Sequence, residues 1–494
     1  SNELTLGGVI SGSGTLTQAG TGTTTLSAAN TYGGVTTVAA GTLKAGAANA
    51  FSARSAHTVA GGATLDTAGL NQSVASLTNA GTVNLLSGTA GSTLTVNGAY
   101  VGQGGTLRIG TTLGGSGSAS DRLVLSGPNA SASGTTTLSV TNLGGLGALT
   151  TGNGIEVVTA LNGATTTAQT SKDAFVLGGG STSVGLSKAG VAALAAPHID
   201  AGAYEYQLYA ADANGQGENW YLRSTTTVPP ANPAPPTPAP VVVPTYRAEV
   251  PMVAALPAQL RQGDLAMLGN LHRRVGDDDA PKLPGDSMQN SLDRRVWARG
   301  VYTDLNIRQE GTVDPQSDGY LNGLQAGIDL WTNASWRTGL YVGFLEGGAD
   351  VTGDARGVYG RVGYNDLQSR YLGGYATWTG MGGTYADVVL QGGDHRYSVR
   401  PDVNPTVSGK PNSWTASLEV GQPFALADGW SIEPQAQIAY QKTSISDLSL
   451  GGAQVQQQAD AGWIGRLGVR LTGDMTTAAG RLQPYGRINL YYAS

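Results

Sequence analysis

Trp430 to Lys442 reads WSIEPQAQIAYQK. Ile432, Pro434, Ala436, Ile438 and Tyr440 alternate there with Glu433, Gln435, Gln437 and Gln441. Side chains of an extended chain point to opposite faces in turn, so this segment is a strand with one oily face and one wet face. The fold of the C-terminal half depends on which of those faces meets water. Pro434 is awkward inside a strand because it lacks a donor, and it is expected near a membrane interface.

The same period of two runs from Arg295 onward. Leu324, Ala326, Ile328 and Leu330 alternate with Gly323, Gln325, Gly327 and Asp329. Trp414, Ala416, Leu418 and Val420 alternate with Thr415, Ser417 and Glu419. Trp463, Gly465, Leu467, Val469 and Leu471 alternate with Arg466, Gly468, Arg470 and Thr472. Leu482, Ile488 and Leu490 face away from Arg481, Gln483, Arg487 and Asn489. With weaker segments near 336–346, 370–379 and 384–392, about nine strands of about ten residues emerge. A soluble barrel, the competing reading, turns its apolar side inward. Here the polar face carries whole charges, while Trp414, Trp430, Tyr440, Trp463 and Tyr492 sit near strand ends. That combination predicts a membrane barrel, apolar toward lipid and polar toward its lumen. Arg299, Gln325, Asp329, Glu419, Glu433, Gln435, Gln437, Arg466, Arg470 and Arg487 are the expected lumen-facing residues.

The chain has 494 residues, 75 of them Gly, no Cys, 13% charged residues and a formal charge of -6. Abundant Gly, Thr and Val disfavour helices and suit strands. The modest negative charge speaks against a nucleic-acid partner, and a chain without Cys crosses an oxidising compartment with no disulfide to lock it early. No run of about 18 apolar residues predicts a transmembrane helix. SNELTLGGVI has neither a Met start nor a signal-peptide pattern, so a longer protein is expected.

Upstream, residues 1–224 repeat a small residue, Thr and an apolar residue. The clearest copies are Gly14-Thr15-Leu16, Gly41-Thr42-Leu43, Ala63-Thr64-Leu65, Gly81-Thr82-Val83 and Gly105-Thr106-Leu107. The steps, roughly 18 to 27 residues, fit a solenoid, and a right-handed parallel β-helix is expected ahead of a β-sandwich. Tyr204, Tyr206, Leu208, Trp220 and Leu222 are the predicted cap that hides the end of its core. Residues 225–245, rich in Pro, are expected to be a linker. From Pro257 to Gly276 the period turns helical, with Leu260, Leu268, Leu271 and Val275 on one side. Pro257 suits a first turn and Gly276 a stop. Arg261, Asp264 and His272 make this rod too polar for lipid. Leu260, Arg261, Asp264, Leu268, Asn270, Leu271, Arg273 and Arg274 are therefore candidate pore residues.

Catalytic signatures are absent. The four His (57, 198, 272 and 395) belong to no recognisable motif and are expected to be solvated, no Ser/His/Asp set can be nominated, and no cofactor is implied. Asp277-Asp278-Asp279 and Asp350…Asp354 lack the spacing of a known Ca²⁺ loop. GGSGSAS at Gly114 lacks the Lys and helix of a phosphate cradle.

RRVWARGVY (from Arg294), WRTGLYVGF, WTASLEVGQPFALADGWSIEPQAQIAYQK and GWIGRLGVRL resemble the translocator barrel of type Va autotransporters. LTLGGVISGSGTLTQAGTGTTTLSAANTY resembles their passenger-associated transport repeat. The stretch from LTVNGAYVGQGG through GTLRIG, SDRLVLSG, TTGNGIEVV and GAYEYQLY to NWYLRS resembles the pertactin-like autochaperone region. The resemblance implies an all-β protein. Passenger repeats (1–90), an autochaperone region and cap (91–224), a linker (225–245), a pore helix segment (246–285) and a barrel (286–494) follow one another. It further implies a Gram-negative outer membrane, a barrel of about twelve strands, and export of the passenger as a hairpin. The partners implied are outer-membrane lipid, the barrel-assembly machinery, periplasmic chaperones and a host surface or matrix. Against that pattern, RLQPYGRINLYYAS resembles the family's ninth strand, so a longer barrel is expected. Gly269-Asn270 stands where some relatives carry the Asn-Asn pair of intrabarrel cleavage, which argues against that route. The expected role is surface display, as an adhesin. The alternative is a carrier of a hydrolase whose active site lies upstream.

Overall fold

The computed structural model describes residues 2–178, 197–228, 241–269, 271, 296–402, 404–426, 429–451, 453–457, 459, 461–477 and 480–493. It divides into two compact units: Ser1–Arg247 with the short segments 355–358 and 451–453, and the remainder from Ala248.

The first unit is a parallel β-helix. Thr23, Thr42, Thr64, Thr82 and Thr106 pair in register down one face, giving coils of 18 to 24 residues. One position on, Leu43, Leu65, Val83, Leu107 and Leu138 stack in a fully buried file. This explains the repeated triplet. Thr faces outward, the apolar residue fills the core, and the small residue sits over the coil below. At Gly41 φ is +64°, and a Cβ would lie 2.3 Å from the Gly22 carbonyl oxygen; at Gly81 it would lie 2.3 Å from that of Ala60. One expected copy is out of series. Leu16 pairs with Thr36 on a second face, and the true predecessor of Thr42 is Thr23. Local composition cannot distinguish two faces of a coil that share the same chemistry.

The last coil, Ile155–Leu161, receives an antiparallel partner, Trp220–Arg223, which in turn pairs with Tyr204–Ala210. Change of direction ends the solenoid. Both ends of the expected linker are strands, since Thr225–Val228 pairs with Val241–Pro244; the Pro-rich tract between them, 229–240, lies outside the described residues. The β-branched residues on both sides of that tract favour pairing.

The second unit is an antiparallel sheet with one helix, α1 (Glu249–Leu268), on its inner face. Among the described residues its nine main strands are β1 (Val296–Asp304), β2 (Gln316–Thr332), β3 (Trp336–Ala355), β4 (Val358–Thr379), β5 (Tyr385–Pro401), β6 (Asn412–Gly421), β7 (Trp430–Ser444), β8 (Gly462–Gly473) and β9 (Tyr485–Ala493). Each pairs with the next in sequence order, as expected of a meander. Several exceed the expected length, and β4 reaches 22 residues. The turn from β3 to β4 has Arg356 at φ 55° and Gly357 at φ 79°, the two positive values of a tight type I′ hairpin. Leu482 belongs to a separate small hairpin, Met475–Thr477 with Gly480–Leu482, and not to the strand that carries Ile488. Pro434 lies within β7, opposite the break between Gly421 and Phe424. Its carbonyl accepts from Gln422 N–H at 3.3 Å, so its missing donor faces that interruption and breaks no regular ladder.

α1 begins eight residues before the expected start. Pro257 is inside it, and removes the donor that would have met the Val253 carbonyl. Gln457 Nε2 donates to that carbonyl at 3.3 Å and replaces the lost bond. The helix closes at Gly269 (φ 60°), where a Cβ would meet Arg299 Nη2 at 2.9 Å. The expected stop at Gly276 lies outside the described residues.

Candidate functional site

The alternation in β7 holds in space. Glu433, Gln435 and Gln441 are buried on the inner face, while Ile438 is 48% exposed on the outer face. Leu324, Ile328, Leu418, Val420, Leu467, Val469 and Leu471 are likewise exposed. In a soluble protein such a row of exposed Leu and Val would be an aggregation surface; beside hydrocarbon it is a solvated one. Trp430 and Tyr440 bracket the row on β7. Ten residues of strand at ~3.3 Å each, tilted by ~40°, give a height of about 25 Å, the thickness expected for the apolar band of such barrels. Trp414, Tyr440 and Trp463 form one side of an aromatic belt, with ring centroids 5.0 and 4.9 Å apart.

Beyond the belt the outer face turns polar: Asn322 and Glu346 are register partners on β2 and β3, and Arg370, Asp394 and Asn412 share one level on β4 to β6, while Lys442 of β7 stands beside Trp414 at the edge of the belt. The long strands therefore project past the band into water. Sequence periodicity missed that part because both faces there are hydrophilic and the contrast disappears.

The inner face holds α1 through side chains reaching from many strands. Gln325 Nε2 donates to the Met267 carbonyl at 2.9 Å, and Arg299 Nη2 to those of Met267 and Ala266 at 3.0 and 3.2 Å. The last turn of α1 has no basic residue of its own, so Arg299 supplies the positive charge that a helix C-terminus favours. Gln391 Nε2 donates to the Asp264 carbonyl at 3.2 Å and Gln441 Nε2 to that of Arg261 at 3.3 Å. Asn365 Nδ2 donates to Met252 O at 2.9 Å and to Gln259 Oε1 at 3.0 Å, and Gln259 Nε2 to Ser317 Oγ at 2.9 Å. Because strands from β1 to β7 contribute, the sheet wraps the helix. Close approach needs small residues: a Cβ on Gly343 would meet Met267 Sδ at 2.5 Å, and one on Gly353 would meet Pro251 at 2.5 Å.

The expected pore residues Leu260, Asp264, Leu268 and Leu271 are all buried, and Arg261 is half-buried. Asn270, Arg273 and Arg274 lie outside the described residues. Asp264 Oδ1 stands 3.5 Å from His395 Nε2, and His395 also contacts Ser369 and Ser413 at 2.8 Å. His395 was expected in solvent. It is fully buried, as are His57 and His198 nearly so; a lone His gave no sign of its strand's orientation.

The remaining lumenal residues form linked polar groups. Arg337 Nη1 and Tyr375 OH bind the two carboxylate oxygens of Asp329 at 2.6 and 2.5 Å. Arg466 reaches Glu419 at 2.9 Å, Gln437 at 2.9 Å, Gln435 at 3.0 Å and Asn489 at 2.8 Å, while Gln435 donates to Glu433 at 2.7 Å. Arg470 lies 5.8 Å above the Tyr485 ring, and Arg487 is its neighbour in register on β9. Asp350 pairs with Arg361 and so is no free Ca²⁺ ligand.

In the first unit all five cap residues pack on the β-helix core. Tyr206 and Leu222 are fully buried, and Tyr204 and Leu208 partly so. Trp220 sits edge-on to Phe175 at 5.3 Å, and its Nε1 donates to Thr166 at 3.0 Å. The Tyr206 hydroxyl lies 2.8 Å from the carbonyls of Gly114 and Ala148 and accepts from Ala148 N–H. Among the described residues one group has the makings of a metal site: His198, Asp200 and Glu205, with ligand atoms within 4.8 Å of one another. Burial pushes the Glu205 carboxyl up, and Arg247 stands 3.5 Å from Asp200, placing a fixed cation where a metal would bring its charge.

Three family models match in order: Passenger-associated-transport-repeat (16–45), Autochaperone Domain Type 1 (72–208) and Autotransporter beta-domain (296–494). The chain is 31% identical to the Adhesin BmaC autotransporter of Brucella suis biovar 1, over 99% of this chain and 14% of that protein. It is 27% identical to the Pertactin autotransporter of Bordetella bronchiseptica, over 58% of this chain and 32% of that protein. The chain thus spans a small part of these relatives. The crystal structure of the β-domain of the Bordetella autotransporter BrkA is 27% identical over 41% of this chain and 80% of that one, with a TM-score of 0.34.

Proposed function

The chain belongs to the autotransporters, outer-membrane barrels with a surface-exposed or secreted passenger, and on that premise we propose that it displays its β-helix as an adhesin. The seating of α1 carries the export half of this reading. A helix this polar is stable inside a membrane only where lumenal side chains satisfy it, and the chain ahead of it must emerge at the end where α1 begins. The cap, in antiparallel register with the last coil, offers a template on which preceding coils stack. Each added coil buries apolar surface, so folding outside disfavours sliding back.

The adhesin half rests on the relative named an adhesin. The part of the passenger present in this chain is proposed to act by binding and not by catalysis: its two His, His57 and His198, are buried within the fold. Insertion is proposed to use the barrel-assembly machinery and periplasmic chaperones, as expected of any barrel that crosses the periplasm unfolded. Cells carrying the full protein should bind host cells or matrix, and cells carrying the barrel with the passenger deleted should not. Equal binding by both would refute the adhesin. A hydrolase signature in the reading frame upstream would favour the carrier reading.

A further inference from the structure

We propose that the outer face of β4 to β7 binds a lipid with a bisphosphorylated headgroup, the chemistry of lipid A. Two independent features meet there. The first is an apolar groove of about 460 Å³ on the lipid side, lined by Leu340, Leu372, Gly374, Leu390, Gly392 and Trp414. The absence of side chains on Gly374 and Gly392 opens it, and its width suits acyl chains. The second is charge. Arg370 occupies the next outward position beyond Leu372, Arg396 lies two outward positions beyond Gly392, and Lys442 is the register partner of Trp414.

All three cations are exposed, and none has an ion-pair partner among the described residues. Nearby charges are otherwise engaged: Arg361 holds Asp350 and Asp402, and Arg400 holds Asp366. Asp394 stands among the three cations and Glu346 lies on the adjoining strand β3, so the excess of positive charge is one. From β4 to β7 is three strand steps, about 14 Å, enough to separate two phosphate contacts. Among the described residues the opposite rim has no such feature. Its outward residues Leu330, Trp336, Trp378, Val420 and Leu471 are uncharged. The cationic rim is the one at which α1 begins, where Pro251 meets Gly353, and is therefore the side facing the cell exterior. An outer leaflet rich in phosphorylated lipid would hold the barrel at this depth and in this orientation.

The proposal rests on the barrel reading, and its test separates the two. Protein extracted from outer membranes into detergent is titrated with bisphosphoryl lipid A, monophosphoryl lipid A, phosphatidylglycerol or inorganic phosphate. The heat-sensitive mobility of the folded barrel is the readout. Bisphosphoryl lipid A should raise the unfolding temperature saturably, monophosphoryl lipid A less, and the other two not at all. Each cation near a phosphorylated surface contributes about fivefold, so R370Q/R396Q/K442Q should weaken binding by about a hundredfold. Gly392→Leu should block the groove without disturbing the fold, because a Cβ there meets nothing closer than 4.0 Å. If the triple variant loses the folded band, Gly392→Leu and Lys442→Gln carry the same comparison. Absence of saturable stabilisation in the folded wild type, or unchanged titration of the variants, overturns the site. Absence of a folded band in the wild type overturns the barrel itself.

Discussion

His57 illustrates how much one buried side chain can set. It lies 1% exposed in the β-helix, 5.7 Å from the Phe51 ring, with Nδ1 3.0 Å from the Ser55 carbonyl. Burial lowers its pKa from 6.5 to about 4. The folded value is depressed, so the unfolded chain takes up the proton first. Stability is unaffected above about pH 6.5 and is lost as pH falls toward 4. Urea titration of the passenger in the intact protein, read by proteolysis, should show roughly 2 to 3 kcal/mol less stability at pH 4.5 than at pH 7.5 from this group. His57→Leu should lose that part of the pH dependence. In the barrel, Ile438→Lys places a charge on the lipid side and should cost about 3 kcal/mol near mid-membrane. Gln437→Asp, facing Arg466 Nε 2.9 Å away, should be tolerated. Folded outer-membrane yields compare the two, and equal yields would contradict the assigned faces.

Among the elements, α1 depends on partners distant in sequence. Replacing Arg299 with Met removes a charged donor from the Ala266 and Met267 carbonyls, a loss of about 2 kcal/mol. The C-terminal turn should loosen, and planar-bilayer recordings should show larger or more frequent openings than the wild type; unchanged conductance would mean that Arg299 does not hold the helix. The leucine spacing made the existence of α1 legible, and Arg261 and Asp264 made its wet surroundings legible. Its start was not. Pro257 looks like a first turn because local rules charge a mid-helix proline for its lost bond, and the compensating Gln457 is 200 positions away.

For the molecule as a whole, the order of parts and the facing of the strands were legible because alternation survives wherever one face meets hydrocarbon and the other does not. Trp430 to Lys442 was enough to set it. Legibility failed where contrast failed: in the strand extensions, whose two faces are both hydrophilic, and at Thr15, whose triplet matches another face of the same coil. The lumenal partners of Arg466 could be named as polar but not paired, since Glu419, Gln435, Gln437 and Asn489 come from four different positions along the chain.

The central claim is that this sheet is apolar outside and polar within. The chain has no native Cys, so single Cys substitutions from Ile432 to Tyr440 can carry spin labels in the intact outer membrane. Labels at 432, 436, 438 and 440 should collide readily with oxygen dissolved in lipid, while those at 433, 435 and 437 should be shielded from it. The reverse pattern, or labels at the even positions reached mainly by a water-soluble nickel reagent, would contradict the account.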